Sequence, residues 1–554
     1  METALFDRLL ERLPYRRSPR FAAIFVVMAM ACWGEPGARG AASPTQPEAA
    51  AHSDLGDDEP EPVLSPAAPP TPAPPQPAAP AVVARPLPAP SQLAARVAPK
   101  LEALSSLVKA RHGELGFALR DLGTGRELSA EGATAAINPA SNQKLITAAV
   151  ALSELGADHR YHVGVLGKIA DGVAPRLVIR ANGDPSFRYE DLHAFVEKLV
   201  ALGLQRVAGD VLVDQSAFDD RYTPPAFEQQ PGEWAAFRAP VSAVALDKNS
   251  TTLHVFPTQP GQLARVEFEP PGYVTVQGDV RTEKGKKRDR VGLTMKPRGL
   301  GMVAQVSGYV PDGSTAVHIT RRIENPEIYA GVVLKRALQT AGVEVAGEVR
   351  RGGEDESVEL VGRDSPPLSE LLGLLGKASD NFYAEMVFKT LGAVKQGKPG
   401  TAEKAADVVQ SWLELRKLGD EGLQVTNGSG LYDANRVSAR TLTRLLEMAY
   451  LDAAISKPFQ EQLAVGGVDG TLRSRFQALR GRRSVHAKTG TLNKVTSLSG
   501  YVFGPDRETG VAFSILVAGT SAHAEVRERM DALVLEVSDA LWARATPLAA
   551  VARR

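Results

Sequence analysis

Asn138-Pro-Ala-Ser-Asn-Gln-Lys-Leu-Ile-Thr147, running on through AAVALSELG to Gly156, is the stretch that orders the rest of this chain. After Pro139 the residues are small or straight-chained, and Leu145, Ala149 and Leu152 recur at helical spacing. Gly156 is a suitable stop, so the segment reads as a helix. Ser141 then sits in the first turn, where free backbone N–H groups and the positive helix end favour developing negative charge. Lys144 lies one turn further on the same face, within reach of the Ser141 hydroxyl. An ordinary lysine is protonated at neutral pH and a poor base, but burial can lower its pKa into a useful range. A second serine three residues before a lysine, Ser106-Leu-Val-Lys109, lies in a polar-faced helical pattern with no comparable setting and reads as surface.

Two further strings follow in order. Lys377-Ala-Ser-Asp-Asn-Phe-Tyr-Ala-Glu385 offers Ser379 as a hydroxyl that can relay a proton and Asn381 as an amide that can hold a substrate amide. The same residues suit a helix N-cap, and the two roles are compatible. Ser484-Val-His-Ala-Lys-Thr-Gly-Thr-Leu492 reads as a strand after a basic turn. Lys488 and Thr489 can bind a carboxylate, Gly490 allows another backbone or a ligand to approach, and the Thr491 N–H can face an oxyanion.

With these residues in place the chain resembles the class C low-molecular-weight penicillin-binding proteins, the D-alanyl-D-alanine carboxypeptidase and endopeptidase family. Gly183-Asp-Pro-Ser-Phe187, Asn427-Gly-Ser-Gly-Leu431, Asn435-Arg-Val-Ser-Ala439 and Gly467-Val-Asp-Gly-Thr-Leu472 extend the likeness over roughly residues 98–545. Asn427, where the family more often has Asp, and Tyr432-Asp433, in place of a commoner Ser-Arg, depart from it at the rim. The resemblance implies a periplasmic or wall-facing serine hydrolase whose partners are peptidoglycan stem peptides, with β-lactams as acylating inhibitors. It implies catalytic roles for Ser141, Lys144 and Ser379 and substrate contacts at Asn381, Lys488, Thr489, Gly490 and Thr491, with no metal or organic cofactor. A β-lactamase or esterase of the same fold, and a non-catalytic wall-binding protein, are the alternatives. Intact Ser141, Lys144 and Lys488 argue against the latter. A Ser-His-Asp hydrolase lacks its motif, since Ser429 has glycines on both sides without the Gly-x-Ser-x-Gly spacing.

Composition agrees with an enzyme of moderate size. Lys+Arg and Asp+Glu both number 64 in 554 residues, which gives no reason to invoke nucleic acid. Cys32 is the single cysteine, so an intramolecular disulfide and a Cys-rich metal site are excluded. His159 and His162 read as a surface pair rather than ligands. Residues 1–32 read as a signal peptide, with Arg16, Arg17 and Arg20 before the apolar run from Phe21 to Ala31. Ala29-Met-Ala31 offers a cleavage site, and Cys32 a lipidation site lacking the usual Leu three positions earlier. Any membrane contact would therefore come through this N-terminal anchor. Residues 33–97 are rich in Ala and Pro and read as a disordered tether, and 546–554 as a tail.

Asp121-Leu-Gly-Thr-Gly125 marks a hairpin, and 486–494, 497–503 and 511–518 are strand-like. Residues 522–544 form an amphipathic helix with Val526, Met530, Leu533, Val537 and Leu541 on its apolar stripe. The expected fold is therefore α/β: a penicillin-binding/serine β-lactamase-like sandwich, an antiparallel sheet from both chain ends flanked by helices, built from 98–165 and 356–545. Residues 166–355 are expected to form an inserted β-rich domain or nested pair. It contains the basic stretch Arg281–Arg290, read as a solvated hairpin, and Gly299-Leu-Gly301, read as a turn. Because it contributes none of the three strings, the insertion is expected to be dispensable for chemistry on a small substrate.

Overall fold

The computed structural model describes residues 84–87, 89–353 and 358–543. The signal-peptide, lipidation and C-terminal-tail assignments lie outside them. At the centre stands a six-stranded antiparallel sheet drawn from both ends of the sequence. Its strands are β1 (Glu114–Asp121), β2 (Glu127–Glu131), β3 (Ala464–Val465), β4 (Val485–Leu492), β5 (Val495–Phe503) and β6 (Gly510–Ala518), in the spatial order β3-β4-β5-β6-β1-β2. The predicted hairpin and the three predicted C-terminal strands are all present within a few residues of their expected bounds.

Successive side chains of these strands feed two different cores, as a period of two requires. Phe117, Leu119, Leu498, Val502, Phe513, Ile515 and Val517 face helices α1 (Pro90–Ala110) and α7 (His523–Trp542). Ala118, Tyr501, Phe503, Ala512 and Leu516 face the opposite core, formed with α2 (Gln143–Leu155), α3 (Leu368–Gly376), α4 (Asn381–Gln396), α5 (Ala402–Leu415) and α6 (Ala439–Leu451). With both faces covered, β5 is buried along its whole length. Val526, Met530, Leu533 and Val537 of α7 pack on the sheet as the stripe predicted.

The expected tether ends earlier than residue 97. Helix α1 begins at Pro90, a residue preorganised for the first helical turn, and Leu93, Val97, Leu101, Leu104 and Val108 are buried along one stripe. Ahead of it, Arg85 bridges to Thr509. Ser106 and Lys109 are outward on this helix, bonded to Glu102 and Glu131, so this second serine–lysine string is a surface pair as expected.

The insertion carries its own core and four sheets. Its largest sheet has five strands, in the order Val349–Arg351, Val211–Asp214, Leu177–Ala181, His162–Gly167 and Val358–Asp364. The first and last strands of the insertion thus pair with each other, which puts its junctions just outside 166 and 355. It is also less purely β than expected, because helices Tyr189–Ala201 and Tyr329–Thr340 pack within it. The Arg281–Arg290 stretch is not the expected hairpin: its ends belong to the strands Arg281–Glu283 and Arg290–Arg298, which pair with Gly301–Pro311 and not with each other, while 299–300 form the expected turn before Gly301 opens that strand. His159 stacks edge-on against Tyr161, while His162 lies between Glu359 and Asp364 (2.7 Å to each), so the two are not a ligand pair.

The position of α1 has a measurable consequence. A chain starting at residue 98 loses the burial of Leu93 and Val97, at about 1.5–3 kcal/mol for each side chain. It should unfold at lower denaturant than a chain starting at residue 84, and equal midpoints would mean that the helix start contributes nothing to the fold.

Candidate active site

The three strings meet at one edge of the sheet. Pro139 leads into a 3-10 turn, Ala140–Asn142, before α2 proper begins at Gln143, so Ser141 sits one turn earlier than a simple α-helix would put it. Ala140 is left-handed at φ +47°, a conformation that costs a non-glycine residue about 1–2 kcal/mol. Two neighbours hold it there. The Ser497 hydroxyl donates to the Pro139 carbonyl (2.8 Å), and the Asn138 side chain accepts from the Ala140 N–H (2.9 Å). Gly490 completes the close approach. A Cβ at that position would stand 2.9 Å from the Ser141 nitrogen, so only glycine lets β4 lie against the serine. The Asn142 amide donates to the Lys488 carbonyl (2.9 Å) and accepts from the Ser499 hydroxyl (2.7 Å), tying the turn to β4 and β5.

Lys144 is wholly buried, and its Nζ has three oxygen neighbours: Ser141 Oγ at 3.0 Å, Asn381 Oδ1 at 2.7 Å and the Ser429 carbonyl at 2.7 Å. Burial brings its pKa down to about 7, against the opposing pull of Glu385 and Asp380. In the neutral amine the two N–H groups are matched by the Asn381 and Ser429 oxygens, which can only accept. The lone pair is left for the Ser141 hydroxyl to donate to. The geometry therefore accommodates the neutral amine that a base needs, and the three oxygens equally match the three N–H groups of the ammonium once a proton has been taken up.

Ser379 is left-handed at φ +59° and precedes α4, whose cap is Asp380 rather than Ser379. The Lys488 Nζ donates to the Ser379 hydroxyl (2.7 Å) and to the Thr489 carbonyl (2.8 Å). Lys488 is fully buried, and burial, with repulsion from Lys144 whenever that lysine is protonated, holds its pKa well below the ordinary lysine value. It therefore stands behind the cleft wall, where its nearest side-chain partner is the Ser379 hydroxyl. Thr489, bonded through its hydroxyl to Thr471 (2.8 Å), and the exposed Thr491 stand closer to the opening.

Several residues of the site escaped the sequence reading. Glu385 is buried on α4, one turn beyond Asn381, and accepts from the Gly428 N–H (3.2 Å) and the Ser429 N–H (2.8 Å). It thereby fixes the loop whose carbonyl meets Lys144. Its presence among Phe382, Tyr383, Met386, Val387 and Phe388 was a usable signal, because a lone acid in an apolar helix run needs a buried partner. The departure at Asn427 also acquires a reason. Its side-chain nitrogen donates to the carbonyls of Pro225 (3.0 Å) and Leu431 (3.2 Å), which a carboxylate could not do. Tyr432 and Asp433 lie at the rim, the former against Phe227 and the latter bonded through its backbone to Gln229.

The insertion supplies none of the three strings, but it touches the second of them. The Asn381 side-chain nitrogen donates to the Phe237 carbonyl (3.1 Å), and Lys248 pairs with Asp380 (2.8 Å). Both partners belong to the insertion, which forms one wall of the second motif. Among the described residues no group of three or more His, Cys, Asp or Glu side chains could hold a metal ion.

Comparison with known proteins gives this geometry a family. The chain is 32% identical over 449 residues to a D-alanyl-D-alanine carboxypeptidase of Actinomadura sp. (strain R39), covering 76% of this chain and 81% of the relative. It is 25% identical over 396 residues to the D-alanyl-D-alanine carboxypeptidase DacB of Haemophilus influenzae, covering 69% and 80%. The crystal structure of penicillin binding protein 4 (dacB) from Haemophilus influenzae superposes with a TM-score of 0.66 at 22% identity, over 79% of this chain and 99% of that one, and shows the shared fold. Residues 98–538 match the family described as D-Ala-D-Ala carboxypeptidase 3 (S13). A buried lysine against a serine on this sheet edge, and a match that runs from α1 to α7, place the chain in the D-Ala-D-Ala carboxypeptidase 3 (S13) family.

Proposed function

We propose that this serine D-alanyl-D-alanine carboxypeptidase acts on peptidoglycan stem peptides through an acyl-enzyme on Ser141, and that β-lactams acylate the same residue. The observation that carries the assignment is the Lys144 amine, 3.0 Å from Ser141 Oγ with its two N–H groups engaged elsewhere. In the first step the Ser141 proton passes to Lys144 while Oγ attacks the carbonyl between the two terminal D-alanines. The backbone N–H groups of Ser141 and Thr491 receive the oxyanion. When the intermediate collapses, the C–N bond breaks and the departing amine takes a proton from Ser379, which is resupplied by the Lys144 ammonium, so that Lys144 returns to the neutral amine. Water, deprotonated by Lys144, then attacks the ester and frees Ser141. Asn381 has one N–H bonded to Phe237 and a second directed to the acyl-side amide. Thr489 and Thr491 contact the terminal carboxylate, with Lys488 behind them.

A wall-facing compartment suits such a substrate. None of the described helices is long and apolar enough to cross a membrane. Weighing the products of purified wall peptides after digestion tests the bond cleaved: loss of one terminal alanine from pentapeptide stems is the expected result.

Fluorescent penicillin should label the wild type and Ser106→Ala equally and leave Ser141→Ala unlabelled. Persistent labelling of the Ser141 variant would move the nucleophile elsewhere. Because acylation requires neutral Lys144, its rate should rise with pH through an apparent pKa of about 7 and fall about tenfold per unit below it. Lys144→Arg, which stays protonated, should lose several powers of ten with its circular dichroism unchanged.

The carboxylate site predicts a double difference. A charge-assisted hydrogen bond contributes roughly 1.5–3 kcal/mol, so amidating the terminal carboxylate should lower kcat/KM about ten- to a hundredfold in the wild type. Most of that preference should vanish in Thr489→Val. Equal handling of acid and amide by the wild type would remove the carboxylate role from this strand.

A further inference from the structure

Three consecutive residues of the insertion, Asp247, Lys248 and Asn249, all have left-handed backbones, at φ +48°, +58° and +48°. None is glycine, and such runs persist only where their surroundings over-determine them. Here both flanks are fastened. The Asn249 side chain is buried and donates to the Pro240 carbonyl (3.0 Å) and the Ser242 hydroxyl (2.9 Å), and its own carbonyl accepts from the Ile323 N–H (3.0 Å). The Asp247 N–H donates to the Phe187 carbonyl (3.0 Å), and its carboxylate accepts from the Tyr189 N–H (3.3 Å). Held at both ends, the turn projects Lys248 out of the insertion. Its Nζ reaches Asp380 Oδ2 at 2.8 Å.

Asp380 is the central residue of the Ser379–Asn381 motif. While one of its oxygens meets Lys248, the other accepts from the Tyr383 N–H (3.2 Å) and caps α4. The backbone orientation of Asn381, and with it the acceptor that faces Lys144, therefore depends on a carboxylate gripped from the insertion. We propose that Lys248 is a positioning residue of the catalytic centre, through which the inserted domain fixes the second motif and compensates the negative charge it brings beside Lys144. The inference rests on the proposed acyl-enzyme chemistry and adds a role for the insertion within it.

The charges around the site make the proposal measurable. Glu385 and Asp380 face Lys144 from α4, Lys488 faces it from β4, and Arg188 and Lys248 face Asp380 from the insertion. Burial by itself would raise the Asp380 pKa, but Lys248, the Tyr383 N–H and Arg188 together hold it low, with Lys248 the largest of the three. Asp380 in turn favours the charged form of Lys144. Removing Lys248 leaves that pull uncompensated, so Lys144 should become harder to deprotonate.

The test is the pH profile of acylation by fluorescent penicillin, measured between pH 5 and 9 on the purified wild type and on Lys248→Met, Lys248→Arg, Asp380→Asn and the Lys248→Met/Asp380→Asn double variant. The acid limb of Lys248→Met should move upward by roughly one pH unit, giving about tenfold slower labelling near pH 6 with a smaller loss on the alkaline plateau. Lys248→Arg should restore the wild-type midpoint. Asp380→Asn should move the limb downward, and adding Lys248→Met to it should change the midpoint no further. An acid limb of Lys248→Met that coincides with the wild type, or a loss equal at every pH and unrelieved by arginine, overturns the proposal. If Lys248→Met does not fold, the arginine and Asp380→Asn profiles decide by the same midpoints. A wild type that takes no label overturns the acyl-enzyme reading, and this inference with it. A labelled wild type whose midpoint the variants leave unmoved overturns this inference alone.

Discussion

An amine that must be buried to be useful, and must be matched to be tolerated, organises this molecule. Lys144 is taken out of water on a helix packed into the main core, and the same burial that lowers its pKa would make it costly without partners. Two acceptor oxygens meet its N–H groups, one from a side chain on α4 and one from the backbone of the 427–431 loop. Each acceptor is itself held. Asn381 is tied to the Phe237 carbonyl, and the loop is drawn in by Glu385 and by the Thr147 hydroxyl, which donates to the Gly428 carbonyl (2.7 Å). Loss of any one support would leave a polar group without a partner in a dry interior, so the segments around the lysine are coupled through it.

The sheet supplies rigidity for this arrangement because its strands are buried on both faces. β4 and β5 form the surface against which the 3-10 turn at Ala140–Asn142 is clamped, through Ser497, Ser499 and the missing side chain of Gly490. Ala140, next to Ser141, and Ser379 are both left-handed. Strain at these points persists because the cores beneath hold the backbone in place, which is how a serine can stand outside a regular helix with its hydroxyl turned to a lysine one turn away. A loop carrying the same residues would lose that registration.

The insertion has its own hydrophobic core and forms a wall of the candidate site by its contacts. Lys389 with Asp219, Arg221 with Glu403, and Arg363 with Asp184 and Asp191 join or brace its junction with the helical layer, alongside the pairing of Lys248 with Asp380. Most of these pairs are partly buried, where they fix orientation more than they add stability. Since the first and last strands of the insertion pair with each other, the chain leaves and re-enters the catalytic layer at nearly one place. A large excursion in sequence therefore costs little disruption of the layer it interrupts.

What the sequence determined by itself was local. A spacing of three residues on a helical turn is enough to bring Ser141 and Lys144 together, and alternation of apolar residues is enough to mark the strands from 485 to 518, because these relations depend on backbone geometry alone. The types and order of residues in the three strings likewise named the chemistry before any contact was known. The tertiary structure decided the rest. Lys144 meets Asn381 across 237 residues of chain, the Ser429 acceptor is a backbone carbonyl that any residue would possess, and Lys248 gains its meaning only from the turn that aims it. The early start of α1 was hidden because Ala and Pro suit a tether as well as a helix start until a sheet is present to bury Leu93 and Val97. The acidity of Lys144 belongs wholly to this second category: a pKa of about 7 arises from desolvation and neighbouring charge, quantities that exist only after the chain has closed around the group.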